Sequence, residues 1–355
     1  MEKFEKYLNR DMLLKLALAL AVGGSGGVIA HFLHVPLGWM LGSMLATFVA
    51  SMRRLPVAVP MRLRATMLGV LGVYLGSSFG PETLHYMVEW PFSMAAVVIY
   101  VPLMTAITAF FYLKVAGMDR ATAVFSATPG GLTPMVVLGG AAGGDEQKIA
   151  VTQSLRVMVL VFSTPLMVFN FLDAPTAEAE VVQLISLADA AIIVVAVIAG
   201  ILIARRIGMP AAEMTGAMFV TGGLYISGVV QGALPEWLLA VTLLVLGSAI
   251  GSRFSGIPRG VLIRLSGYAM VAIVLIFAVT AAVAAILSSL LGFDYMSVLL
   301  AFAPGGVAEM SLIAVALNVE PSFVAFHHVV RIFVILLLAP LLSRWLRQAP
   351  ARQGD

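Results

Sequence analysis

The sequence predicts an all-α polytopic membrane protein made of two homologous inverted repeats. Each repeat has about five transmembrane helices and one broken, re-entrant Pro-Gly-Gly hairpin. Three observations lead to this fold: apolar runs recur along the chain, one motif occurs twice, and charged residues are scarce. Hydrophobic residues make up 61% of the chain and charged residues 11%, whereas a soluble domain carries about 25% charged residues. A chain this apolar is typical of a protein that crosses the membrane many times.

The repeated motif is Pro-Gly-Gly followed by a methionine four residues later. It occurs at Pro129–Met135 and again at Pro304–Met310. A shift of 175 positions (from 129 to 304) aligns the two copies without a gap and also places Arg156 on Arg331. A shift of 174 aligns the earlier parts of the two halves, where Gly42 meets Gly216. The chain is therefore a tandem duplication.

Each half contains five long apolar segments and one segment that Pro-Gly-Gly interrupts. In the first half they are residues 12–32, 36–52, 61–79, 91–113, the broken 119–142, and 147–171. In the second half they are residues 187–204, 209–229, 237–252, 261–291, the broken 294–317, and 321–345. The predicted organisation is a first membrane repeat at 1–172, a linker at 173–186, a second repeat at 187–346 and a cytoplasmic tail at 347–355.

The first segment follows a short charged region, as the apolar part of a signal peptide does. Residues 1–24 lack a small-x-small cleavage site with a soluble domain behind it, so we interpret them as the first retained span. Lys3, Lys6 and Arg10 place the N-terminus in the cytoplasm.

Orientation follows from the loops in which arginine and lysine collect. The arginines at 53–64 indicate a cytoplasmic loop, and the acidic loop at 80–90 indicates the outside. These assignments agree along the chain only if each broken segment enters and leaves on one side. Each arm of about ten residues rises about 15 Å, half of a core about 30 Å thick. Five crossings then invert the second repeat, which is the plan of secondary transporters.

The two interruptions are the predicted binding site. Proline removes a backbone donor and glycine permits positive φ, so the chain is expected to unwind there. We call Pro129, Gly130 and Gly131 the first tip, and Pro304, Gly305 and Gly306 the second tip. The half-helix after each tip presents free N–H groups, which suit an anionic group of a substrate. The alternative is a pair of proline kinks that only shape helix packing.

Arg156 and Arg331 are equivalent arginines, each about ten residues into an apolar span. A buried guanidinium faces a partner, a cavity or a substrate, and its fork suits a carboxylate or phosphate. The two arginines are therefore candidate substrate ligands. The alternative, compatible with the first, is that each binds the carbonyl groups freed at a tip.

Two membrane carboxylates are candidates for carrying a coupling ion. Glu309 follows the second tip. A dry environment there is expected to disfavour the bare carboxylate charge, which suits a proton carrier or a cation ligand. The equivalent residue in the first copy is Pro134. The alternative is a salt bridge from Glu309 to Arg331 or Arg156. Glu213 is the second, weaker candidate.

Polar side chains next to the arginines are expected to line a cavity. They are Gln153, its equivalent His328, and His327. Adjacent histidines point about 100° apart on a helix and do not form an i, i+4 metal pair. We expect no metal site and no cofactor, and we expect the glycines at 23–27 to serve close helix packing.

The paired Pro-Gly-Gly-x-x-x-Met blocks, with Arg156 and Arg331 downstream, resemble the AbrB membrane family of Gram-negative bacteria. That family is distinct from the small soluble transition-state regulator of the same name. The resemblance covers nearly the whole chain, and the motif is similar to Pro-Gly-Gly-Leu-x-Glu-Met; Val307 replaces the leucine in the second copy and Pro134 the glutamate in the first. The resemblance implies either a regulator of gene expression or an ammonia monooxygenase.

The residues favour neither activity as direct chemistry. An oxygenase needs a copper or iron site, which five scattered histidines and no cysteine do not offer. Direct binding of nucleic acid needs a basic module outside the membrane, and no predicted loop is long enough. The sequence thus favours a non-enzymatic transporter of a small anionic or zwitterionic solute, coupled to H⁺ or Na⁺. By analogy with other inverted-repeat carriers, we also expect a homodimer.

Overall fold

The structure is a computed structural model that describes residues 10–171, 184–317 and 319–348. The described first half contains α1 (Arg10–Phe32), α2 (Gly38–Met52), α3 (Met61–Ser77), α4 (Pro81–Met87), α5 (Trp90–Lys114), α6 (Arg120–Ala127), α7 (Leu132–Ala141) and α8 (Glu146–Phe171). The described second half contains α9 (Leu187–Arg206), α10 (Ala212–Ile226), α11 (Glu236–Gly251), a 3-10 turn (Ser252–Phe254), α12 (Arg259–Leu291), α13 (Tyr295–Phe302), α14 (Val307–Ala316) and α15 (Pro321–Gln348).

The chain has the helices of a membrane protein, as its composition predicts. Six of the described helices are long and apolar enough to cross a membrane: Arg10–Phe32, Trp90–Lys114, Leu187–Arg206, Glu236–Phe254, Arg259–Leu291 and Pro321–Arg347. The number and direction of the crossings stay predictions. Most of the predicted linker and tail, and the basic residues Lys3 and Lys6, lie outside the described residues.

The helices form two compact units, and both repeats contribute to each of them. Unit 1 contains Met1–Glu89, Val161–Ile257 and Ala308–Ala325. Unit 2 contains Trp90–Leu160, Pro258–Val307 and Phe326–Asp355.

In unit 1, glycines allow equivalent helix pairs of the two repeats to approach closely. A Cβ atom built on Gly26 of α1 would lie 2.4 Å from the Gly42 carbonyl oxygen of α2. The equivalent atom on Gly200 of α9 would lie 2.7 Å from the Gly216 oxygen of α10. Any side chain at these positions forces the helices apart, which explains the small residues that the sequence places there.

Helices of unit 1 also pack reciprocally between the repeats. A Cβ atom built on Gly72 of α3 would lie 2.3 Å from the Met214 carbonyl oxygen of α10. The equivalent Gly247 of α11 would place its Cβ atom 2.4 Å from the Met40 oxygen of α2. The third helix of each repeat therefore contacts the second helix of the other.

Unit 2 is organised around α5 and α12, which pack against each other and against the half-helices α6 and α13 respectively. The Tyr100 hydroxyl of α5 lies 2.6 Å from Thr280 Oγ1 of α12. Both side chains are buried, so this hydrogen bond satisfies two polar groups in an apolar interface.

Candidate functional site

Each broken segment consists of two half-helices joined by an unwound stretch. Residues 128–131 are not helical and separate α6 from α7. Residues 303–306 are not helical and separate α13 from α14. Equivalent aspartates begin the first arms: Asp119 accepts a 2.8 Å hydrogen bond from the Thr122 N–H, and Asp294 a 2.7 Å bond from the Ser297 N–H. The chain leaves the helix at the two tips, as the sequence predicts. The re-entrant path of these segments stays a prediction.

Arg156 of α8 binds the carbonyl end of α6. Its Nη1 donates to the carbonyl oxygens of Ser126, Ala127 and Thr128 at 3.3, 3.3 and 3.4 Å. The last carbonyl groups of a helix have no partner within it, so one guanidinium satisfies the buried carbonyl groups at the end of this half-helix. The side chain is 4% exposed.

Arg331 of α15 holds the second tip in the same way. Its Nη1 donates to the Ala303 carbonyl oxygen at 2.5 Å, and its Nη2 donates to the Gly305 carbonyl oxygen. Both arginines therefore bind carbonyl groups at the helix breaks, which was the structural alternative raised by the sequence. Binding of substrate by either arginine stays a prediction.

The polar residue one turn before each arginine binds the same half-helix. Gln153 Nε2 donates to the carbonyl oxygens of Phe125 and Thr128 at 2.7 and 2.8 Å. Its equivalent His328 donates from Nε2 to the Leu300 carbonyl oxygen at 3.0 Å, and 300 is 125 shifted by 175. The Gln153 Oε1 atom also accepts from Arg156 Nη2 at 2.5 Å. These side chains thus support the tips, and a role in lining a cavity stays a prediction.

His327 faces a different partner from its neighbour. Its Nε2 atom lies 2.8 Å from the Ser93 hydroxyl of α5, and the imidazole is fully buried. In the described residues, no three His, Cys, Asp or Glu side chains come together as metal ligands would.

The two tips differ in exposure. Gly131 and the following Thr133 and Pro134 are exposed, whereas Pro304 and Gly305 are buried. Gly131 is the N-cap residue of α7, and no side chain caps this helix end. The first tip is thus the more accessible helix N-terminus.

The first tip also lies against the last helix of the second repeat. A Cβ atom built on Gly130 would lie 3.0 Å from Ile335 Cγ2 of α15. The Ser343 hydroxyl of α15 donates to the Leu138 carbonyl oxygen of α7 at 3.4 Å. A helix of the second repeat therefore contacts the first tip and the half-helix that follows it.

Glu309 lies in the first turn of α14 and is half-buried. A carboxylate there is favoured by the helix dipole. In the part of the chain that the structure describes, its carboxylate has no ion pair within 4.0 Å, and Arg253 of the same unit lies within electrostatic range. Ion coupling by Glu309 stays a prediction.

Glu213, the weaker candidate, has a basic partner. Its Oε1 atom lies 2.9 Å from Arg205 Nη2 at the adjoining ends of α10 and α9. The sequence did not predict this ion pair, and ion coupling by Glu213 stays a prediction.

Sequence analysis also missed two tyrosines of α5. Tyr112 lies within electrostatic range of Arg156, and Tyr100 within range of Arg331. Both side chains are buried. The sequence could have indicated their importance, because both tyrosines lie in an otherwise apolar helix and a buried tyrosine hydroxyl needs a polar partner.

Comparison with known proteins identifies similar sequences over the whole length. A family model described as "AbrB: Transition state regulatory protein AbrB" matches residues 39–347. The "Putative regulator AbrB" of Escherichia coli (strain K12) is 26% identical over 354 residues, covering 98% of this chain and 99% of that protein. The "Uncharacterized protein YhjN" of Bacillus subtilis (strain 168) is 25% identical over 376 residues, covering 97% and 96%. The sequence resemblance named a family of Gram-negative bacteria, and this second relative shows that similar proteins also occur in Bacillus.

Proposed function

This chain belongs to the AbrB family, and we propose that it works as a secondary transporter in a bacterial inner membrane. Its substrate is a small anionic or zwitterionic solute, and its transport is coupled to H⁺ or Na⁺. The observation that carries the proposal is the pair of equivalent helix breaks, each held by a buried arginine. Unwound backbone inside a membrane protein is tolerated where protein or a water-filled cavity satisfies it, and transporters bind substrate at such breaks.

The first tip is the proposed contact for the anionic group. It combines an accessible helix N-terminus with a buried cation, because Arg156 binds the preceding carbonyl groups. The Arg156 Nε–H group is buried and has no acceptor among the described residues. No described carboxylate lies within 4.0 Å of this guanidinium, so its charge is available to attract an anion.

The inverted relation of the repeats is part of the same proposal. The reciprocal contacts of Gly72 with Met214 and of Gly247 with Met40 support an exchange-symmetric pair of repeats. Short half-helices of eight and ten residues on either side of each tip support a path that enters and leaves on one side. Glu309, a carboxylate with no ion pair in the described residues, is the proposed carrier of the coupling ion.

Uptake into liposomes tests the proposal. Purified protein is reconstituted, and labelled small carboxylic and amino acids are offered under an imposed H⁺ or Na⁺ gradient. We expect accumulation of at least one of these solutes that collapses with the gradient. Glu309→Gln should remove the gradient dependence, whereas Glu236→Gln, which changes an exposed acid in the first turn of α11, should preserve it. Unaltered coupling in Glu309→Gln would show that another group carries the ion.

A solute sensor is the second candidate, favoured by the name of the Escherichia coli relative. Such a regulator of gene expression would bind the same solute through the first tip without moving it, and would act on transcription indirectly. Binding without accumulation in the same liposomes identifies a sensor, and accumulation identifies a transporter.

A further inference from the structure

Unit 1 contains an apolar groove of about 830 Å³ that the proposed transport does not use. It runs between α3 and α9 and reaches the start of α11. Aliphatic side chains make up its walls, and two of them, Val194 and Ile198, are 58% and 57% exposed. The groove is therefore open at the surface along α9.

One end of this groove is charged. Arg62 from the first turn of α3, Arg205 from the last turn of α9 and Glu213 from the first turn of α10 line it. The Arg205–Glu213 ion pair measures 2.9 Å and leaves the Arg205 side chain 56% exposed. Two guanidinium groups and one carboxylate give these lining residues one net positive charge.

The other end of the groove is apolar. Val73 and Ile193 pack there, with Ile185 and Leu234 against them. From Arg62 to Val73, α3 rises about 17 Å at about 1.5 Å per residue. This length is close to half of a hydrocarbon core about 30 Å thick, which is the depth that one acyl chain occupies.

We propose that this groove binds an anionic phospholipid, with one acyl chain between α3 and α9 and the phosphate at Arg62 and Arg205. The guanidinium fork matches phosphate oxygens, and basic pockets between membrane helices bind anionic headgroups on the cytoplasmic side. Arg62 belongs to the arginine-rich loop at 53–64, which is predicted to be cytoplasmic, and Arg205 lines the same end of the groove. This inference rests on the proposed membrane location and is independent of transport.

Gly69 is a position at which a larger side chain would fill the groove. It lies in the wall on α3, and a Cβ atom built on it would be 3.6 Å from Ile201 Cδ1 and 3.7 Å from the Glu213 carbonyl oxygen. These are ordinary contact distances, and leucine is a better helix former than glycine. Gly223 of α10 is the matched control, because it is exposed and a Cβ atom there has no neighbour within 4 Å.

Native mass spectrometry of the purified full chain tests the proposal. The protein is mixed with equal amounts of dioleoyl phosphatidylglycerol and dioleoyl phosphatidylcholine, which differ in charge but not in acyl chains. We expect the wild type and Gly223→Leu to retain phosphatidylglycerol preferentially, and Gly69→Leu to lose this preference. Arg62→Gln should weaken retention about five-fold, the effect of removing one basic residue near an anionic headgroup.

Several results would overturn this site. Equal retention of the two lipids, or of neither, would show that the groove has no preference for an anionic headgroup. Preferential retention that survives in both Gly69→Leu and Val194→Trp, a second filling variant from the opposite wall, would place the lipid elsewhere. Dimers that dissociate in the filling variants, with lipid retention unchanged, would show that the groove is a contact between two copies of this chain.

Discussion

Arg156 and Arg331, which are 175 positions apart, bind the same part of their respective repeats. Each donates from its guanidinium to carbonyl oxygens at the end of the half-helix that precedes a Pro-Gly-Gly tip. The partners around them differ. Thr128, a carbonyl partner of Arg156, also accepts from Gln153, whereas His328 donates to Leu300 and not to the carbonyl partners of Arg331.

The first prediction concerns these hydrogen bonds. Arg331→Ala and Arg156→Ala should both lower the free energy of unfolding, because each leaves buried carbonyl groups without their arginine donor at about 1–3 kcal/mol per group. The two losses should be similar. Gln153 still serves Thr128 in Arg156→Ala, so that variant affects the carbonyl groups of Ser126 and Ala127, as Arg331→Ala affects those of Ala303 and Gly305. Thermal unfolding in detergent measures both losses, and Arg206→Ala, which removes an exposed arginine, should be close to neutral. Wild-type stability in Arg331→Ala would contradict the role assigned to its hydrogen bonds.

Gln153 and His328 occupy equivalent positions, so each repeat suggests a conservative substitution for the other. His328→Gln introduces the residue of the first repeat, whose amide can bind the Leu300 carbonyl oxygen and also accept from the arginine. We expect this variant to be as stable as the wild type. Gln153→His should lose about 0.5–1.5 kcal/mol, because one imidazole nitrogen replaces an amide group that reaches two carbonyl oxygens. The same unfolding assay ranks the two variants, and the reverse order would contradict the equivalence of these side chains.

Two neighbouring glycines of α1 should respond in opposite directions to the same change. Gly26→Ala places a Cβ atom 2.4 Å from the Gly42 carbonyl oxygen, and such overpacking costs about 1–3 kcal/mol. Gly24→Ala meets nothing within 4 Å and should gain about 0.5–1 kcal/mol, since alanine favours a helix over glycine. Equal effects in thermal unfolding would show that the close approach of α1 and α2 does not form.

The loop before α8 should make stability depend on pH. Asp145 accepts a 3.0 Å hydrogen bond from the Lys148 N–H, and this bond, aided by the Lys148 ammonium group, lowers the pKa of the Asp145 carboxyl. Because this pKa is lower in the folded protein, the carboxylate stabilises the fold at pH values above its unfolded pKa of about 3.9. This stabilisation is lost as the pH falls through the folded pKa. Asp145→Ala should cost about 0.5–2 kcal/mol at pH 7 and less at pH 3. A difference that grows at low pH would contradict this sign.

Much of the fold could be predicted because the duplication reveals which residues share a structural role. The Pro-Gly-Gly sequences at 129–131 and 304–306 predict the two helix breaks, and the ten predicted apolar segments include the six membrane-length helices. The sequence could also predict which kind of group the arginines bind. A buried guanidinium needs acceptors, and the carbonyl groups at the end of an interrupted helix need donors.

The remaining features depend on contacts between helices, which the spacing of residues along the sequence does not predict. Tyr112 lies near Arg156 only through the packing of α5, and the Arg205–Glu213 ion pair forms only where two helix ends adjoin. The greater exposure of the first tip likewise follows from tertiary packing, because both repeats carry the same three tip residues.

Thiol labelling tests the inverted-repeat arrangement most directly, because the chain contains no cysteine. Single cysteines replace the exposed Val115 and Gln147, which flank the first broken segment, Ile207 after α9, and Ala177 in the linker outside the described residues. Each variant is treated in intact cells with a membrane-impermeant reagent. The proposal predicts that Ala177→Cys alone reacts, and that the other three react only after permeabilisation. Labelling of Gln147→Cys but not of Val115→Cys or Ala177→Cys in intact cells would show that the broken segment crosses the membrane, and the repeats would then be parallel.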